Sequence, residues 1–252
     1  MPSDTAGWYR DYFDADFLRI YRNLLPADEA REEAEAVVQA LGLGAGDRLL
    51  DLGCGWGRHS TAFADLGLAV TGLDLSDLLL REAAAGARPG AAWVRGDVRD
   101  LPFRDAFHAV VSLFSSLGYF LDDGEDLRVL RDVRQALRPG GSLLIETMHR
   151  DLVARDFAER DWWEDGNGGY VRVEREFDAV AGVSHETVHW RTSNGRTGAK
   201  RHSIRIRSAT EWAAILAAAG FVPTAWWGSW DFDPFTTASD RLIVMASAAV
   251  GD

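Results

Sequence analysis

The sequence predicts an α/β fold built on a doubly wound, mostly parallel sheet carrying a small antiparallel insertion, and three observations predict it. Strand-like apolar runs alternate with amphipathic helical stretches across residues 48 to 147, as parallel strands joined by crossover helices do. The first run enters a glycine-rich turn, Leu49 to Ser60, LLDLGCGWGRHS. A segment of different character, from about Asp151 to Arg207, alternates polar and apolar residues with a period of two.

Taken in order, the chain divides into a helical cap (1–40), a half that carries the glycine-rich turn (41–150), an antiparallel insertion (151–208) and a closing helix with hairpin (209–252), all in one domain. From Trp8 to Leu25 aromatic residues recur at mostly helical spacings, and DEAREEAEAVVQAL, Asp28 to Leu41, is a charged amphipathic helix ending before Gly42. Ser76 is placed to cap a helix running to Ala85, and Leu127, Leu130, Val133 and Leu137 stand at core spacing on another beginning at Asp122. Pro139 and Gly140 are expected to stop that helix before the next strand. In the insertion, strands are expected at Tyr170 to Val180, Ser184 to Thr192 and Lys200 to Arg207, with Asn194-Gly195 turning the last pair. Ser208 and Glu211 form a capping-box signature for a helix ending at Gly220, and Arg241 to Ala246 is the expected last strand.

Composition narrows the function. The 252 residues, 47% hydrophobic, suffice for a sizeable core. No apolar run reaches membrane-spanning length and MPSDTAGWYRDYF is unlike a signal peptide, so no membrane is expected and the cytoplasm is the default location. Cys54 is the sole cysteine, which excludes an internal disulfide and a cysteine-based metal cluster. A net charge of −12 argues against nucleic acid, which is normally held by clustered Lys and Arg, and suits small or cationic acceptors. Arg201, Arg205 and Arg207, alternating with Ile204 and Ile206, are the local exception and fit one wet strand face.

The turn carries the chemistry. Glycine is needed where φ must be positive or where backbone must approach a ligand closer than a Cβ allows, and a following helix offers unpaired amides. The spacing is GxGxG: Arg58 occupies the place where the dinucleotide fingerprint has its third glycine. With Asp51 near the strand end, this resembles motif I of the class I S-adenosylmethionine-dependent methyltransferases. The resemblance continues in order over about 100 residues. VTGLDLS puts Asp74 at the end of a second strand, 21 residues after Gly53, and RGDVRDLPF puts Asp97 after a third. FHAVVSLFSSLGYF and LRPGGSLLIE match the fourth and fifth segments.

What the resemblance implies is a seven-stranded, Rossmann-like methyltransferase sheet that binds S-adenosyl-L-methionine and releases S-adenosyl-L-homocysteine. Its implied donor contacts are Asp51, Gly53, Gly55 and Gly57 of the turn, Asp74 on the ribose with Leu75 beside it, Asp97 on the adenine amino group with Val98 beside the ring, and Phe114 to Tyr119 completing the site. The implied reaction moves a methyl group to N or O of a small-molecule acceptor by in-line displacement. A non-catalytic homologue that only binds the donor is the alternative, and a nicotinamide-dependent oxidoreductase the rival. Departures from the family pattern are Trp56 in the loop and Arg207, where relatives often have tyrosine.

On the acceptor side the candidates are Tyr9, Tyr12 and Tyr21 of the cap, Tyr119 after the fourth strand, and His202 and Arg205 of the insertion. Trp162, Trp163, Trp226, Trp227 and Trp230 are either packing or an aromatic acceptor wall. His149, two residues past the fifth strand, is the candidate general base, by its place at the ligand edge and its titration near neutrality. Arg58 and His59 are expected to support the loop. The six histidines show no metal-ligand spacing such as HExxH, so no metal is expected, and a homodimer is left open.

Overall fold

The structure is a computed structural model that describes residues 7–86 and 88–248. Two sheets organise the molecule. The larger holds seven strands: β1 (Arg48–Leu52), β2 (Ala69–Asp74), β3 (Ala91–Arg95), β4 (Phe107–Ser112), β5 (Leu137–Thr147), β10 (Phe221–Trp227) and β11 (Leu242–Ala248), in the order β10-β11-β5-β4-β1-β2-β3. β1 to β5 pair in parallel, and β11 runs antiparallel between β5 and β10. This is the expected doubly wound sheet with its closing hairpin.

Each core strand is apolar on both sides because helices cover both faces. On β1, Leu49 faces one way and Leu50 and Leu52 the other, the period of two that a strand imposes. Leu49, Val70, Ala109 and Val111 bury against Ala34 and Val37 of α3 (Ala27–Leu41) and Ala62 and Phe63 of α4 (Arg58–Asp65). Leu50, Leu52, Val110 and Leu143 bury on the opposite face with Val129, Leu130 and Val133 of α6 (Asp123–Ala136) and Trp212 and Leu216 of α8 (Ala209–Ala218). Helix α5 (Asp77–Ala85) lies against β2 and β3, capped by the Ser76 hydroxyl, and α8 opens on the Ser208–Glu211 capping box.

Several element boundaries differ from expectation. β5 begins at Leu137, directly after α6, so Pro139 and Gly140 sit inside the strand; four residues between Leu137 and Ser142 have no counterpart on β4, and a bulge is where a sheet tolerates proline. The last strand begins at Leu242 and extends to Ala248. The insertion has four strands, because β6 (Arg160–Glu164) precedes β7 (Tyr170–Asp178), β8 (Val183–Arg191) and β9 (Thr197–Arg205). β6 is an edge strand, mostly exposed, so its sequence RDWWE lacks the alternation that marks the others.

The cap belongs to this second sheet as much as to the first. After the single turn of α1 (Tyr9–Tyr12), α2 (Ala15–Tyr21) buries Ile20, 1% exposed, against Val171, Val173, Val188 and Trp190. Burying such a side chain stabilises by about 1.5–3 kcal/mol. Ion pairs rim the contact: Lys200 with Asp14 at 2.5 Å, Arg196 with Asp16 at 2.5 Å, and Arg19 with Asp165. Among the described residues no helix is long and apolar enough to cross a membrane.

Candidate active site

At the carboxyl ends of the parallel strands, where doubly wound sheets bind ligands, a cavity of about 540 Å³ opens between the large sheet, the cap and the second sheet. Gly53, Leu75, Asp97, Leu113 and Met148 line it, each just past the end of one of β1 to β5.

The end of the cavity under the glycine turn is built by backbone hydrogen bonds. The amides of Gly53 and Cys54 donate to the Leu73 carbonyl at 2.8 and 3.1 Å, docking the turn on β2. Gly53 has φ +77°, and a Cβ there would stand 2.8 Å from that of Ser116. Asp74 Oδ2 accepts from the Gly55 amide and Oδ1 from the Ser76 amide, both at 2.8 Å; burial pushes its carboxyl up, against those hydrogen bonds. Asp51 is buried and accepts from the Ser60 hydroxyl at 2.5 Å. Asp97 is gripped by Arg99, whose Nε and Nη2 donate at 3.0 and 2.7 Å, and these hydrogen bonds hold its carboxyl below the usual range. The same guanidinium lies 4.8 Å from the Phe120 ring and 5.4 Å from that of Tyr9, joining this end to the cap. Phe114 and Ser115 both have φ near +57°, a left-handed conformation that non-glycine residues adopt only under constraint. The constraint is Glu146, whose carboxylate accepts from the Phe114 amide at 2.6 Å.

Along one side, Glu33 gathers His59 at 2.6 Å, Arg241 at 3.1 Å and Arg58 at 3.3 Å. Burial works to raise its carboxyl, but the His59 hydrogen bond and the surrounding positive charge outweigh burial and hold it at about 2.

The far end is aromatic. The Trp8 ring stands 4.9 Å from Tyr119, 5.2 Å from Tyr12 and 5.4 Å from the His202 imidazole, and the Tyr12 and Tyr21 hydroxyls are 3.4 Å apart. Burial raises the Tyr12 and Tyr119 phenols, so both stay protonated, and burial followed by the nearby charge of Arg175 pulls His202 down to about 4. Glu186 completes this end; burial pushes its carboxyl up against the charge of Arg175.

Of the residues singled out from sequence, the structure brings Asp51, Gly53, Gly55, Asp74, Leu75, Asp97, Val98 and Phe114 to one cavity with Tyr9, Tyr12, Tyr21, Tyr119 and His202. Gly57 is not on the wall: at φ +76° it makes room for Trp93, whose Cη2 a Cβ would meet at 2.5 Å. Two further expectations are corrected. His149 is fully buried outside the cavity, where Nδ1 caps α7 (Arg150–Asp156) by accepting from the Leu152 amide at 3.2 Å and Nε2 donates to the Ser239 carbonyl at 2.8 Å. With both nitrogens engaged it has no free position for a base. Arg205 turns away from the cavity and donates to the carbonyls of Leu121 at 2.7 Å and Ala181 at 3.2 Å. The five tryptophans also lie off the wall: Trp162 is 69% exposed and Trp230 donates to Glu33.

Sequence reasoning missed Glu186 and Trp8. Glu186 shares its strand face with Val188 and Trp190, and a carboxylate on an otherwise apolar face was the available signal.

Comparison with known proteins agrees with this geometry. A methyltransferase-domain family matches residues 49–141. The dTDP-3-amino-3,4,6-trideoxy-alpha-D-glucopyranose N,N-dimethyltransferase of Streptomyces venezuelae is 30% identical over 190 residues, 68% of this chain and 74% of that one. The structure of the CcbJ methyltransferase from Streptomyces caelestis superposes with a TM-score of 0.81 at 21% identity, covering 98% of this chain and 100% of the other. The S-adenosylmethionine-bound CalS10, an amino pentose methyltransferase from Micromonospora echinaspora, does so with a TM-score of 0.71 at 25% identity, covering 94% and 98%.

Proposed function

From the premise that this chain belongs to the class I S-adenosylmethionine-dependent methyltransferase family, we propose that its small-molecule acceptor presents an amine nitrogen, on a molecule of the amino-sugar class. The family reaction, methylation of N or O on a small molecule, is common ground; the choice of nitrogen is the proposal.

The observation that carries it is the charge of the cavity wall. Glu29, Glu33, Asp51, Asp74, Asp97, Glu146, Glu186 and Asp240 line it against Arg58 and Arg241, with aromatic faces at the acceptor end. Such a wall attracts the sulfonium donor, accepts hydrogen bonds from the N–H groups of a neutral amine, and repels phosphate. Two of the relatives above, the Streptomyces venezuelae enzyme and CalS10, are named for amino sugars. The nucleotide of a nucleotide-linked sugar would then stay outside the cavity, and the chain's −12 net charge disfavours nucleic acid as acceptor.

The residues present fit the donor. Asp74 and Asp97 each keep acceptor capacity beyond their protein hydrogen bonds for ribose hydroxyls and an adenine amino group. Leu75 and Val98 offer apolar walls to the ring, and Gly55, where an added Cβ would meet nothing within 4 Å, leaves open space at the turn. When bound, S-adenosylmethionine supplies an electrophilic methyl group on a sulfonium. The protein's part is to align acceptor and donor and to exclude water. Alignment is worth about 7–11 kcal/mol, and a base adds about 10²–10⁴-fold. A neutral amine has its own lone pair, so a cavity without His149 is sufficient for it.

Purified protein is incubated with S-adenosylmethionine and dTDP-3-amino-3,4,6-trideoxyglucose, the free amino sugar, or the corresponding hydroxyl sugars, with mass-spectrometric detection of methylated product. Methylation of an amine is expected. Turnover of only the hydroxyl sugars overturns the amine reading, and failure to take up either donor or S-adenosylhomocysteine overturns the assignment of the turn.

A further inference from the structure

The second sheet lays a row of polar side chains across the face it turns to the cap. Arg175 on β7, Glu186 on β8 and His202 on β9 are directly opposite one another in register, so their side chains share that face. It is the apolar face, whose other members bury Ile20 of the cap. A carboxylate in such surroundings is costly without donors. Arg175 Nε stands 3.4 Å from Glu186 Oε1. His202 Nε2 stands 3.8 Å from Oε2, beyond hydrogen-bond length, so among the described residues that oxygen has no donor. The His202 Nδ1 is buried and likewise without a partner. Glu186 and His202 line the cavity; Arg175 stands behind them.

The groups around Glu186 leave it available. Arg175 is its cationic neighbour from β7, Tyr12 and Tyr21 face it from the cap with their hydroxyls engaged on each other, and His202 is held neutral by burial and so does not compete as a cation.

We infer that Glu186, with His202 beside it, is the docking point for the acceptor's amine: Oε2 accepts a hydrogen bond from an acceptor N–H while the aromatic rings of the cap pack on its carbon skeleton. The acceptor class is a primary or secondary amine; a quaternary ammonium has no N–H to offer. The inference rests on the amine reading above.

Its test uses the full chain loaded with S-adenosylhomocysteine and the amino sugar that the wild-type enzyme methylates. That sugar is titrated calorimetrically into wild type, E186Q and E186D, alongside steady-state KM and kcat, with S-adenosylhomocysteine affinity as the control. E186Q is expected to weaken amine binding about tenfold or more, from the loss of a charge-assisted hydrogen bond. KM should rise more than kcat falls, donor-product affinity should stay within about twofold, and E186D should recover part of the loss, as should E186Q on raising acceptor concentration. Amine affinity unchanged in E186Q, or a matching loss of S-adenosylhomocysteine affinity, overturns the assignment while leaving the amine reading in place. If E186Q does not fold, an unaltered KM in E186D overturns it. A wild-type enzyme that methylates no amine overturns both.

Discussion

The Gly55 amide donates to Asp74 Oδ2 at 2.8 Å, so the glycine turn after β1 is fastened to the acid that ends β2. The other oxygen takes the Ser76 amide at 2.8 Å, where α5 begins. Asp74 therefore shapes the turn as well as lining the cavity where the donor is proposed to bind.

Replacing Asp74 with Ala is expected to weaken S-adenosylhomocysteine binding by about 1–3 kcal/mol, through loss of contacts to the ligand and loosening of the turn. Asp74→Asn, which keeps one carbonyl oxygen for a backbone amide, should lose less. Isothermal titration calorimetry decides, and undiminished affinity in the alanine variant removes Asp74 from the donor site.

His149→Ala is expected to cost about 1–2 kcal/mol of stability, the price of an N-cap and a buried hydrogen bond, while the turnover of the remaining folded enzyme stays within a few-fold of wild type. His149→Asn, whose side chain can still cap α7, should melt closer to wild type. A loss of kcat by about a hundredfold in well-folded H149N would reinstate the histidine as a base.

Arg207 and Asp126 form an ion pair at 2.7 Å with side chains only 4% and 2% exposed, and the guanidinium lies 5.3 Å from the Trp212 ring. Arg207→Met alone should destabilise by about 3–5 kcal/mol because it strands a buried carboxylate, and the double variant R207M/D126L should recover much of that. Urea denaturation of the two single variants and the double variant measures the coupling; simple additivity refutes it.

Stability should fall in two successive acid ranges that meet near pH 4. His202 titrates near 4 in the folded protein, below its ordinary 6.5, so between these values the unfolded chain binds the extra proton: the penalty is absent above about 6.5 and grows as pH falls to 4. Glu33 is held at about 2 against an ordinary 4.5, so its contribution is complete above 4.5 and disappears as pH falls toward 2. In thermal melts across pH 2 to 8, His202→Gln should flatten the upper range and Glu33→Gln the lower. A wild-type melting temperature constant from pH 6.5 to 4 contradicts the first.

The residues proposed for the donor were legible in the sequence because most lie within three residues of a strand end, and strand ends announce themselves by a change from apolar to Gly and Asp. Gly53, Asp74 and Asp97 needed only local pattern. Glu186 needed register: nothing near it in sequence says that Arg175 and His202 stand beside it, since three strands must first be aligned across two turns. His149 shows the opposite failure. Its position after β5 was read correctly, but the direction of its side chain was fixed by Leu152 and by Ser239, 90 residues away. β6 was invisible for a third reason, an edge strand having no buried face to impose a pattern.

Because Ile20 is seated on β7 and β8 and its flanking charges are matched to Arg196, Lys200 and Asp165, the cap and the second sheet form one wall standing over a donor site made by the other sheet. With the acceptor bound against that wall as proposed, moving its preference to another scaffold is expected to require transplanting the cap and the second sheet as a matched pair. A graft of residues 160–205 without residues 9–25 would leave Ile20 facing a foreign surface and its salt links without counterparts.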